Sequence, residues 1–251
     1  MHRWVLVITM IVATPAPVAA FTRLTVTDHP DRFLWQGNST LTMWPAIDSS
    51  EDLSPSEVED ALNRAAANWM VHPCTDVVFV FEGPPSTPDT IAITDATDGE
   101  NEVVFREDEW LDDPAAFAIT YSKFSTRTGE ILESDIVVNG VDWSFTGSDA
   151  RSVEVDLESV LTHELGHVLG FDHTDDPEST MYGAGQVGET KKRDLTEDDI
   201  HGLCTVYSPR GVLRSGLRSG TITSGCAAGG QALPVTSSLA LALLVLFRRR
   251  G

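Results

Sequence analysis

His163-Glu164-Leu165-Gly166-His167-Val168-Leu169-Gly170-Phe171-Asp172-His173 places three histidines in one short run. Around it Leu157, Val160, Leu161, Leu165, Val168 and Leu169 repeat at helical spacing, which predicts a helix from Val155 to Leu169. Side chains four apart in a helix stack on one face with about 6 Å of rise between them, so His163 and His167 can address a single ion. Glu164 lies too far round the helix to join them as a ligand, but it can reach a water on that ion. Gly170 ends the helix because it tolerates the left-handed backbone region, and the turn it permits returns His173 to the same point. Three neutral imidazoles with a fourth position open suit a catalytic zinc, since a structural zinc is closed by four protein ligands. A surface helix with incidental histidines is the alternative. The H-E-x-x-H part alone arises by chance in about 1% of chains this long, and Gly170 and His173 at fixed offsets lower that about a thousandfold.

Working outward, Thr40 to Trp44 alternates as a strand that Pro45 ends. Ser54-Pro55-Ser56-Glu57 opens a helix whose Val58, Ala61, Leu62, Ala65 and Trp69 line one side. Val77 to Phe81 is continuously apolar, the pattern of a strand covered on both faces. Further strands are expected at 90–94, 102–106, 117–124 and 130–138, the last two joined by a turn at Ser125 to Gly129. A final helix is expected from Thr196 to Tyr207, opened by acids at its positive end. Strand, helix, several strands, helix and helix describe an α+β fold, with a mixed, mostly parallel twisted sheet packed on helices.

The chain of 251 residues has a formal net charge of −21. That field repels phosphate backbones, and nucleic acid is not an expected partner. Three cysteines are too few for a disulfide-built scaffold. Residues 1–20 read as a cleaved export signal: His2 and Arg3, an apolar run from Trp4 to Ala13, then Val18-Ala19-Ala20. The apolar run is well short of a membrane span, which is the alternative reading. Residues 21–207 form one domain's length. Residues 208–225 form a Gly/Ser/Arg linker, and 226–251 a tail with Cys226, an apolar stretch and Arg248-Arg249-Arg250. Leu233 to Phe247 is interrupted by Pro234 and Thr236-Ser237-Ser238, which is short for a stable span. The expected location is outside the cell's interior, at the surface or outer membrane or secreted, with membrane contact only through the tail. The expected domain is a monomer.

The central run resembles the metzincin zinc endopeptidases, whose third ligand follows the glycine and whose site is floored by a methionine turn. Ser179-Thr180-Met181-Tyr182 supplies that methionine. Gly166 within the run, Thr174 after the third histidine and Tyr182 after Met181 resemble the matrixin branch, as does Leu195 to Gly202. The tail resembles the myxobacterial C-terminal sorting signal, with Cys226 as the residue for processing or lipid attachment.

The resemblance implies zinc held by His163, His167 and His173, and Glu164 as the base that takes a proton from water and passes it to the leaving amine. It implies an edge strand near Phe117 to Phe124 that pairs with extended protein or peptide substrates. Met181 would support the site by packing. Animal matrixins carry a cysteine-capped propeptide, yet no cysteine lies between the signal and Cys74; nor does any histidine for a second zinc lie between His72 and His163. Calcium is an expected further ion, held by some of the many acids, although pairs such as Asp112-Asp113 also read as solvated loop. Cys74 and Cys204 are expected to form a disulfide in an oxidising compartment, two buried thiols being the alternative. Two functional alternatives stay open: a zinc-binding surface adhesin without turnover, and a processing protease acting on one partner. The other histidines, His2, His29, His72 and His201, read as surface or structural.

Overall fold

The computed structural model describes residues 21–86, 98–147 and 154–209. Two short strands, β1 (Thr25–Val26) and β2 (His29–Phe33), pair antiparallel around a turn in which Asp28 takes φ 65°. Asp tolerates that region because its side chain bonds locally. His29, read as surface or structural, opens β2 and is exposed. Then come β3 (Trp35–Gln36), β4 (Thr40–Pro45), α1 (Pro55–Met70), β5 (Val78–Phe81), β6 (Glu102–Arg106), β7 (Ala118–Phe124) and β8 (Glu130–Asn139). The main sheet runs β3-β8-β6-β4-β5 with every neighbour parallel, and β7 adds to β8 antiparallel. The mixed, mostly parallel α+β sheet expected from the sequence is present.

One strand expectation changes. Val77 to Phe81 is not covered on both faces: Phe79 is buried but Val78 is 42% exposed, and β5 ends the strand order among the described residues. An apolar run thus marks a doubly covered strand only where other elements pack on each face. The expected strand at 90–94 lies outside the described residues. The β7–β8 turn is as expected, with Gly129 at φ 77° and its amide bonded to Ser125 O at 2.7 Å.

Helix α1 begins with a capping box of Ser54 and Glu57 and buries Val58, Ala61, Leu62, Ala65, Ala66 and Trp69. Opposite it lies α2 (Leu157–Val168), preceded by the short parallel pair β9 (Phe145–Thr146) and β10 (Val155–Asp156). The helix therefore starts two residues later than its apolar period suggests. Asp156 caps it by accepting from Ser159 N at 2.8 Å, and Arg193 anchors the same carboxylate through Nε at 3.0 Å. Trp69 stacks on Phe171 at 5.7 Å and donates Nε1–H to Thr162 O at 2.8 Å, locking α1 to α2.

Helix α3 (Glu197–Val206) closes the domain with the capping box of Thr196 and Asp199. Its C-cap, Tyr207, is buried and donates its hydroxyl to Leu169 O at 2.5 Å, while Gln36 N donates to Tyr207 Oη at 3.1 Å. One phenol thus joins the end of α2, the end of α3 and β3. The expected bridge is formed: Cys74, just beyond α1, is bonded to Cys204 in α3, with Cα atoms 5.2 Å apart.

Candidate metal centre and cleft

The three expected ligands come together at the end of α2. His163 Nε2 and His167 Nε2 each lie 3.2 Å from His173 Nε2. His163 is buried, His167 half-buried and His173 exposed, so the cluster opens outward. Gly170 makes the return possible. Its φ is 84°, and a Cβ there would lie 2.8 Å from Leu34 O, so neither the backbone turn nor the contact with β3's approach admits a side chain.

The tautomers follow from the second ring nitrogens. His163 Nδ1 is 2.6 Å from Thr180 O, and His167 Nδ1 is 2.8 Å from Phe171 O. A carbonyl only accepts, so both Nδ1 atoms carry the proton and both Nε2 lone pairs face the centre. Burial, joined by the charges of His167 and Lys192, holds His163 well below the ordinary imidazole value, and burial also lowers His173. Both shifts favour the neutral form of His163 and His173. Tetrahedral zinc with bonds of about 2.0–2.1 Å needs nitrogens about 3.3 Å apart, and this donor set fits.

A hydrogen-bond relay from α3 sets the floor. Asp199 accepts from Ser179 Oγ at 2.7 Å and from Thr180 N at 3.0 Å, and Thr180 O is the acceptor that orients His163. Met181 follows, 4% exposed. It lies under α2 at Gly166, where a Cβ would be 2.9 Å from Trp69 Cζ2 and 3.0 Å from Met181 Cε. Packing is thus what Met181 contributes. Tyr182 runs alongside Thr174, and its carbonyl accepts from Lys192 Nζ.

Glu164 is 5% exposed and lines the same cleft as the three histidines and the start of β7. A cleft of about 650 Å³ lies over the cluster, walled by Phe117 to Thr120 on one side and Gly183 to Gln186 on the other. The wall formed by β7 is an edge strand, because β7 pairs only with β8 among the described residues. Lys192 is buried beside the cleft, and desolvation pushes its amine down to about 8.

Three of these residues escaped the sequence reading. Thr120, Asp199 and Lys192 lie far along the chain from the histidine run; Asp199 was legible only as a helix-start acid. Cys226 and the rest of the expected tail lie outside the described residues, as do 1–20.

An acidic cluster stands apart from the cleft. Asp98, Glu100 and Glu102 bring carboxylate oxygens within 4.8 Å of one another. Glu102 is 3% exposed, and its Oε1 is buried with no hydrogen-bond partner. Burial and then the charge of Asp135 push its carboxyl up to about 7, and burial pushes Asp135 up to about 6. Asp112 and Asp113 serve their own loop instead, accepting from Tyr121 Oη and Ala115 N.

The fold and site define a zinc-binding hydrolase domain of the kind that cuts peptide bonds: a three-histidine centre with an adjacent carboxylate, beneath a free strand edge. The matrixin family profile matches residues 34–208, and the chain belongs to that family of zinc metalloendopeptidases. It is 35% identical over 164 residues to Metalloendoproteinase 2-MMP of Arabidopsis thaliana, covering 64% of this chain and 40% of that protein. It is 46% identical over 74 residues to Metalloendoproteinase 1-MMP of the same plant, covering 30% and 20% of the two chains. Human Matrilysin is 36% identical over 63 residues, 25% of this chain and 24% of that one. The aligned parts therefore span at most 40% of these relatives.

Proposed function

We propose that the protein is an exported endopeptidase that hydrolyses protein substrates with Glu164 as its general base. The observation that carries this reading is that Glu164, bonded to Thr120 of β7, lines the same cleft as the three convergent histidines. Zinc bound by His163, His167 and His173 supplies a Lewis acid that polarises the scissile carbonyl and acidifies a water molecule. Glu164 takes the proton from that water and delivers it to the leaving amine, so one carboxylate serves first as base and then as acid. The free edge of β7 binds an extended substrate by main-chain hydrogen bonds, and the cleft walls exclude water around the bond to be cut. A surface adhesin would need the histidines but not Glu164, whose presence favours turnover. Purified protein is expected to cleave casein or gelatin; zinc-replete protein that cleaves neither, nor any member of a mixed peptide library, would contradict the proposal.

Export rests on the composition of residues 1–20, and surface tethering on Cys226 and the basic tail. Intact-mass analysis of the mature protein tests both: loss of residues 1–20 and of Arg248 to Gly251 is expected, and retention of either end removes the corresponding step.

Calcium is proposed at Asp98, Glu100 and Glu102, because a buried, unpartnered carboxylate oxygen beside two other acids lacks only a cation. Glu102 and Asp135 bind protons more tightly folded than unfolded. In a chelator that removes calcium and leaves zinc, their contribution to stability should therefore fall as pH rises from about 4 through 7. At pH 8, calcium a hundredfold above its dissociation constant should add about 2.7 kcal/mol. Glu102→Gln should flatten the pH slope and abolish the calcium response. An unchanged melting temperature with calcium in the parent protein would contradict the site.

A further inference from the structure

We infer that Thr120 is a positioning residue for the Glu164 carboxylate, tying the base to the strand that receives the substrate. The Thr120 hydroxyl lies 2.6 Å from Glu164 Oε2 and 3.4 Å from Glu164 O. No other hydrogen bond reaches this carboxylate among the described residues. The two groups are 44 positions apart in the chain and meet only because β7 crosses beside α2. Thr120 is itself fixed in register, opposite Ile136 of the fully buried part of β8.

The terminal torsion of a glutamate is broad, so a carboxylate without a partner samples many orientations. A hydroxyl donor on Oε2 removes that freedom and leaves Oε1 to accept the proton from water. The donor belongs to the same strand whose outer edge faces the cleft. The tie therefore also sets the distance between the base and a substrate backbone paired to β7, which a donor from elsewhere would not do. Threonine's methyl and β-branching suit a strand without any such role, so a test must separate the hydroxyl from the shape.

This inference rests on Glu164 acting as base. The experiment measures kcat and KM separately on a fluorogenic peptide for the zinc-replete full chain, comparing the parent with T120V, T120S and E164Q, with zinc content and melting temperature recorded for each. T120V keeps the shape and removes the donor; its kcat is expected to fall about tenfold to a hundredfold, the range for a hydrogen bond to a charged group, with KM, zinc content and melting temperature unchanged. T120S restores the donor and should recover most of kcat. Parental kcat in T120V, a loss confined to KM, or a T120S variant as slow as T120V overturns the inference while leaving the base in place. An E164Q variant as fast as the parent overturns the base itself. Crystal structures of the metal-free parent and T120V provide a readout free of turnover: the carboxylate should leave its position in T120V, and an unchanged position contradicts the tie.

Discussion

Glu164→Gln should retain one zinc per chain and lose about 10²- to 10⁴-fold in kcat, the range supplied by a positioned acid–base group. The substitution preserves volume and still offers Thr120 an acceptor, so the carboxamide can occupy the same place. It does not touch the imidazoles, whose orientation comes from Thr180 O and Phe171 O. Loss of rate with metal content intact therefore isolates proton transfer from metal binding. A fall in kcat with KM unchanged is the signature of an interaction made in the transition state. Metal analysis alongside kinetics checks the result, and a variant that turns over at the parental rate would remove Glu164 from the mechanism.

Breaking the Cys74–Cys204 bridge should have the largest effect on stability. It closes a loop with a sequence separation of 130, for which the chain-entropy account gives about 5 kcal/mol as an upper figure. That is comparable with the whole stability of many domains. The bridge also holds α3, whose Asp199 supports Ser179 and Thr180 and through them His163. A Cys74→Ala/Cys204→Ala double variant should therefore melt far below the parent and bind zinc more weakly. Denaturant unfolding at matched zinc checks this. A double variant within about 1 kcal/mol of the parent would show that the loop is restrained by other contacts.

The histidine run was legible because its information is local. Helical period places His163 and His167, a positive-φ glycine turns the chain, and the third ligand lies three residues on. The order of the main strands was legible for the same reason, as was the bridge, since only two cysteines lie within the domain. What escaped depends on neighbours remote in sequence. The apolar run of β5 reads as a strand covered on both faces, yet what packs on each face is decided by remote elements, and Val78 faces solvent. The start of α2 follows apolar period back to Val155, but pairing with β9 places Val155 and Asp156 in β10 first. Thr120 is an ordinary strand residue until α2 passes beside it. Asp199 reads as a helix-capping acid, which it is, and its second task of holding Thr180 appears only when α3 packs against the methionine turn.

The most direct test of the account is a zinc titration of chelated, metal-free protein followed by peptide cleavage. Activity should be absent without metal and rise linearly to a plateau at one zinc per chain. Full cleavage by metal-free protein, or no recovery after one equivalent of zinc has bound, would contradict a single catalytic centre built from His163, His167 and His173.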